Sequence, residues 1–240
     1  MHPAEEALPP VCILAGGRAT RLGELVRDRP KALMSVAGEP FVFHQLRLLA
    51  AHGATDVVLC VGYLGEQIVA AVGPERFGVR VQYSQDSPGL DGTLGAIRRA
   101  LSLLGERFLV LYGDTYLPID YRAANRRWRA SDLPGLMTVL LNDGRWDRSN
   151  ALLHEGLVIA YDKYSPTPAM RWIDYGLGGL TAHAIERFER GQSDLAALYA
   201  SLAAERLLCG FEATERFHEI GTPAALVETA AYLAQLSERR

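Results

Sequence analysis

Two segments of this chain carry side chains suited to handling phosphate. The first runs Leu14-Ala15-Gly16-Gly17-Arg18-Ala19-Thr20-Arg21, with Lys31 shortly beyond. Absent β-carbons at Gly16 and Gly17 let backbone amides approach phosphate oxygens closely. Thr20 adds a hydroxyl donor, and Arg18, Arg21 and Lys31 add positive charge. A triphosphate needs such donors, because its charge must be neutralised before another anion can attack it. The second segment is Leu111-Tyr112-Gly113-Asp114, a carboxylate directly after an apolar run. Ligands of α/β sheets bind at the C-terminal ends of strands. Magnesium favours a few carboxylates, with water and phosphate oxygens completing its octahedron, so Asp114 is a candidate metal ligand. Taken alone, Gly-Asp is equally ordinary turn chemistry. The first loop lacks the G-K-[ST] of a P-loop. It also lacks G-x-G-x-x-G, which removes the main support for a redox dinucleotide site.

Gly16-Gly17-Arg18-Ala19-Thr20-Arg21-Leu22 followed by Pro30-Lys31 resembles the opening motif of the nucleotide-sugar pyrophosphorylases, or sugar-1-phosphate nucleotidyltransferases. The family's usual form is G-G-x-G-T-R-L, and Ala19 replaces its third glycine. Leu111-Tyr112-Gly113-Asp114 matches the family's L-x-G-D. Phe217-His218-Glu219-Ile220-Gly221-Thr222-Pro223 resembles its late D-x-G-T-P segment, with Glu219 for the more usual aspartate. The run from Ser87 to Ile97 is similar to L-G-T-x-G-A, with Asp91 inserted before Gly92 and Thr93. Tyr161-Asp162-Lys163 resembles E-K-P, and Ile173-Asp174-Tyr175-Gly176-Leu177-Gly178 resembles N-A-G-I-Y.

The resemblance spans almost the whole chain, in family order, and is nearest to small bacterial guanylyltransferases acting on manno-heptose or mannose 1-phosphate. It implies transfer of a nucleotidyl group from a nucleoside triphosphate to a sugar 1-phosphate, with release of pyrophosphate. It also implies roles. Arg21 would hold the departing pyrophosphate and Lys31 the reactant phosphates, with Leu14 to Arg18, Thr20 and Gly113 around the nucleotide. Gly92 and Thr93 would lie against the base. Asn150, Lys163, Asp174 and Gly176 would meet the sugar phosphate, and Asp114 with Glu219 would bind Mg2+. GTP is the expected donor. The alternatives are a uridylyltransferase for N-acetylmuramic acid 1-phosphate, a phosphocholine cytidylyltransferase, and a nucleotide-sugar sensor without turnover.

These residues need a scaffold, and the sequence supplies one. Apolar runs from Val11, Asp56 and Phe108 read as buried strands. Between them lie helical patterns over Phe41 to Ala51, Gly65 to Val72 and Thr93 to Leu104, and Val79 begins an alternating strand. Buried strands separated by helices demand a parallel sheet covered on both faces. Beyond Tyr121 come a polar helix (Arg122 to Ala130), strands from Leu136, near Leu152 and Leu157, and from Trp172 and Leu207, a helical stretch from Ala182, and a helix from Pro223. Strands clustered without helices between them suggest antiparallel additions. The expected class is α/β, a Rossmann-like mixed, mostly parallel sheet, the nucleotide-diphospho-sugar transferase fold by resemblance. One domain over 1–240 is expected, with a nucleotide-binding half (1–120) and a sugar-phosphate-binding half (121–240).

With 49% apolar residues in 240, the chain can bury a large core. A net charge of -3 offers no global positive field for nucleic acid. Cys12, Cys60 and Cys209 form no CxxC pair, so no zinc site or disulfide framework is expected. The N-terminus lacks a basic region followed by an apolar one. No apolar run approaches the roughly 18 residues of a membrane span. A cytoplasmic address and no membrane partner are the expectation; no feature sets an oligomeric state.

Overall fold

The structure, a computed structural model, describes residues 7–17, 28–86, 92–188 and 192–238. Val11–Leu14 forms β1. A turn of 3-10 helix at Lys31–Leu33 leads into a hairpin of β2 (Ser35–Val36) and β3 (Glu39–Pro40). Then follow α1 (Phe41–Ala51), β4 (Asp56–Val61), α2 (Gly65–Val72), β5 (Glu75–Arg76), β6 (Val79–Gln85), α3 (Gly92–Leu104) and β7 (Arg107–Tyr112). β8 (Thr115–Tyr116) and α4 (Tyr121–Ser131) open the second half. It continues with β9 (Gly135–Leu141), β10 (Ala151–His154), β11 (Leu157–Tyr161), β12 (Trp172–Thr181), α5 (Ala182–Arg187), α6 (Leu195–Ala204), β13 (Leu208–Ala213), β14 (His218–Glu219) and α7 (Pro223–Glu238).

Ten strands form one sheet in the order β10-β11-β13-β9-β12-β7-β1-β4-β6-β5. β7, β1, β4 and β6 run parallel. β12 lies antiparallel between β7 and β9, and β13 runs parallel to β9. The antiparallel strands anticipated from the sequence therefore extend the main sheet itself. The helical stretch expected from Ala182 divides into α5 and a separate α6, which Asp194 caps by accepting the Ala196 N–H.

Strand alternation explains why the parallel strands read as continuous apolar runs. In β1, Val11 and Ile13 join a core with Leu46 and Leu49 of α1, Ile68 of α2 and Trp128 of α4. Cys12 faces the other way, toward Ile97 of α3 and Tyr199 and Leu202 of α6. Both faces are thus buried. A smaller cluster of Val36, Phe41, Tyr116, Ile220 and Leu233 ties the hairpin, α1, β8 and α7 together. All three cysteines are free and buried. The Cys12 and Cys60 sulfurs lie 3.5 Å apart, and that hydrogen bond, with burial, holds the Cys12 thiol well above its ordinary pKa. A protonated buried thiol is no nucleophile. No described helix is long and apolar enough to cross a membrane.

Candidate active site

β1 delivers Leu14, Ala15, Gly16 and Gly17 to the C-terminal edge of the parallel strands. Ala15 N–H donates to the Cys60 carbonyl at 2.9 Å, and the Leu14 carbonyl accepts from Gly113 at 3.0 Å. The glycine segment is thereby stitched to the ends of both neighbours of β1. A β-carbon at Gly16 would collide with the carboxylate of Asp86, so any larger residue there must push that side chain aside. Asp86 follows β6 and lies 3.6 Å from Arg99 of α3. Arg18, Thr20 and Arg21 lie outside the described residues, as do Ala19 and Asp91.

Asp114 stands in the turn between β7 and β8. Its Oδ2 accepts from Lys31 Nζ at 2.6 Å, and its Oδ1 from the Thr115 hydroxyl at 3.2 Å. The Lys31 side chain is 13% exposed, so its charge is largely desolvated and the ion pair offsets that penalty. Glu219 reaches the same place from the far end of the chain. β14 pairs antiparallel with β8, with Glu219 opposite Thr115, and Ile220 N–H donates to the Asp114 carbonyl at 3.0 Å. The backbones that carry the two predicted metal carboxylates are thus paired side by side, despite their distance in sequence.

The donor chemistry, hard carboxylate oxygens, is the kind a divalent cation takes. Asp114 and Glu219 offer two hard carboxylates, and the acceptance of Lys31 shows that the turn holds positive charge. Magnesium keeps waters and phosphate oxygens in its shell and needs few protein ligands. Among the described residues, no group of three or more His, Cys, Asp or Glu forms a closed protein cage.

A third group of predicted residues gathers around a bulge in β12. The register between β12 and β9 shifts between Asp174 and Gly178, and Gly176 takes a φ of 102°, which disfavours any side chain. Asp174 Oδ1 accepts the Gly176 N–H at 3.0 Å, and Asp174 Oδ2 accepts the Tyr161 hydroxyl at 3.3 Å. Asn150 anchors the arrangement. Its side-chain oxygen accepts the Asp174 N–H at 2.8 Å, while its backbone bonds Trp172 and Asp162. Burial raises the Asp174 carboxyl above the usual range, against the opposing pulls of Gly176, Tyr161 and Lys163. Lys163 is itself exposed, in a turn capped by Asp162.

The bulge abuts the carboxylate turn, because a β-carbon on Gly176 would lie 3.6 Å from Thr115 Cγ2. Tyr112 links the groups. Burial raises its phenol first, followed by the charges of Asp174, Asp194 and Asp114. Gly92 and Thr93 start α3 beside the start of α6. The Thr93 hydroxyl accepts the Leu195 N–H at 2.9 Å and donates to Asp194 at 3.4 Å, and Leu94 N–H bonds the Ser193 carbonyl. Thr93 is therefore engaged within the protein. Asp194 also accepts the Tyr164 hydroxyl. Asp86, Tyr112 and Asp194 were not singled out from the sequence. For Asp86 a signal existed, since it follows β6 as Asp114 follows β7.

The sequence profile of the MobA-like NTP transferase domain matches residues 11–173. The chain belongs to that family. Among relatives of this MobA-like domain is the N-acetylmuramate alpha-1-phosphate uridylyltransferase of Neisseria meningitidis serogroup B, 41% identical over 124 residues. That match covers 51% of this chain and 53% of the relative. The D-glycero-alpha-D-manno-heptose 1-phosphate guanylyltransferase of Campylobacter jejuni is 35% identical over 108 residues, 45% of this chain and 48% of the relative. The chain spans about half the length of these curated relatives. A Bacillus anthracis protein crystallised with sucrose superposes with a TM-score of 0.84 at 19% identity. It covers 95% of this MobA-like chain and 96% of its own, a likeness of fold.

Proposed function

We propose that this chain is a sugar-1-phosphate nucleotidyltransferase, converting a nucleoside triphosphate and a sugar 1-phosphate to a nucleotide sugar and pyrophosphate. The observation that carries the reading is the ion pair of Lys31 with Asp114 in the turn after β7, stitched to the glycine segment of β1, with the backbone of Glu219 paired alongside it. Such chemistry runs on positioning and charge neutralisation. The attacking phosphate is already anionic at neutral pH, so no general base is required. Its oxygen bonds to the α-phosphorus as the bond to the β-phosphate oxygen breaks, and pyrophosphate leaves. Gly16 and Gly17 approach the phosphates through the backbone, and Lys31 neutralises reactant charge. Arg21 takes the role of holding the leaving group. Asp114 and Glu219 would hold Mg2+, which when bound would supply further neutralisation at phosphate oxygens.

Residues 1–120 serve the nucleotide and 121–240 the sugar phosphate, with Asn150, Lys163, Asp174 and Gly176 on the sugar side. Three buried, unbridged cysteines fit a reducing cytoplasm. GTP with D-manno-heptose or mannose 1-phosphate is the expected pair, supported by the likeness to the Campylobacter guanylyltransferase. The 41% identity to the Neisseria enzyme favours a second pair, UTP with N-acetylmuramic acid 1-phosphate. A panel of triphosphates against sugar 1-phosphates with Mg2+, scored by pyrophosphate release, tests both. Nucleotide binding with no release for any pair would overturn the transferase reading in favour of a sensor.

A further inference from the structure

α1 carries one amide where its apolar stripe should continue. Gln45 lies four residues after Phe41 and four before Leu49, one helical face, and it is 1% exposed. A buried amide requires partners. Gln45 Nε2 donates one hydrogen to the Tyr112 carbonyl at 2.9 Å and the other to the Thr115 carbonyl at 2.8 Å. Both partners are carbonyl oxygens, which accept only, so the amide can face them only with its nitrogen. Gln45 Oε1 has no hydrogen-bond partner among the described residues. The donor side alone therefore sets its orientation. The two carbonyls bracket Gly113 and Asp114, and one side chain from a packed helix spans the whole turn.

We infer that Gln45 is a positioning residue that fixes the turn from Tyr112 to Thr115, keeping the Asp114 carboxylate aimed at the reacting phosphates. This rests on the proposed transferase reading. The Asp114 side chain is 32% exposed, while the backbone behind it is held from three sides. Gly113 donates to Leu14, Ile220 donates to Asp114, and Gln45 closes the side facing α1. The first two bonds run between backbone groups and need no side-chain donor. The third depends on a glutamine.

The test uses the full chain and three variants. Gln45→Met preserves length and packing but removes both donors. Gln45→Asn keeps both donors one methylene short of the turn and serves if the methionine variant does not fold. Leu49→Ala loosens α1 without touching the turn. The expected result for Gln45→Met is a kcat lowered about tenfold or more, since small misplacements near reacting groups are felt strongly. KM for the triphosphate should stay within about twofold, with faster hydrogen exchange at residues 113–115. Leu49→Ala should keep the wild-type kcat at an equal or larger loss of Tm. Wild-type kcat with unchanged exchange in Gln45→Met overturns the inference, as does an equal loss of kcat in Leu49→Ala. If the wild-type chain releases no pyrophosphate with any substrate pair, the transferase reading fails. The exchange measurement still decides whether Gln45 holds the turn.

Discussion

On the parallel side of the sheet, β1, β4, β6 and β7 point the same way, and Gly16, Gly62, Asp86 and Asp114 follow their ends closely. On the other side, β12 runs against both its neighbours, and its predicted residues sit in mid-strand, at a bulge. Parallel strands collect chemistry at one edge because all their C-terminal ends lie there. An antiparallel strand has no such shared edge, so a local break in register must turn its side chains toward the ligand. The first side is held by backbone bonds between strand ends, with the Gln45 side chain behind the Asp114 turn. The second is held by side chains, with Asn150 at the centre. Substitutions on the two sides should therefore fail differently.

The largest effect is expected at the parallel edge. Asp114→Asn should bind triphosphate yet lose about 10²–10³-fold in kcat, the scale of removing one strong electrostatic group; near-normal pyrophosphate release would falsify its assignment. Gly16→Ala comes next. The added methyl must displace Asp86, and a shift of about 1 Å lowers kcat/KM for the triphosphate by about 10²-fold. Steady-state kinetics with the sugar phosphate saturating would check this, and an unchanged value would remove the packing argument. Asn150→Ala should act on the other substrate. KM for the sugar phosphate is expected to rise about tenfold, the loss of one or two hydrogen bonds, with KM for the triphosphate unchanged. A rise in both constants would break the division between the sides.

The smallest effect concerns Asp174, and it depends on pH. Burial lifts its folded pKa above the unfolded value, so the folded state binds more protons in the interval between them. Wild-type stability from this group is complete below the unfolded carboxylate range and declines as pH rises through the lifted value. Asparagine carries no such proton. Asp174→Asn should therefore raise Tm most at pH above the lifted value, with the gain fading as pH falls into the ordinary carboxylate range. A Tm difference that is flat with pH would contradict it.

Sequence patterns revealed α1 and α2 to the residue because amphipathic spacing ends at clear stops; Gly53 and Gly73 both take positive φ. α6 was harder to see. LAALYASLAA is apolar on nearly every side, since it packs between sheet and surface, and it offers no periodic contrast. β8 and β14 are two residues each, too short for any pattern, yet they join Asp114 to Glu219. Both acids were recognisable from local motifs; their adjacency was not. Gln45 left only the trace of a polar residue on an apolar stripe. Its partners lie 67 and 70 positions away, a separation no local pattern reports.

β13 is the last strand of the large sheet in chain order, yet it lies inside the sheet, between β9 and β11. During synthesis on the ribosome, β9 must wait with one edge unpaired until residues 208–213 emerge. An open strand edge is a template for joining other chains. An edge able to recruit other chains therefore stays open late in translation, when most of the core has already been made.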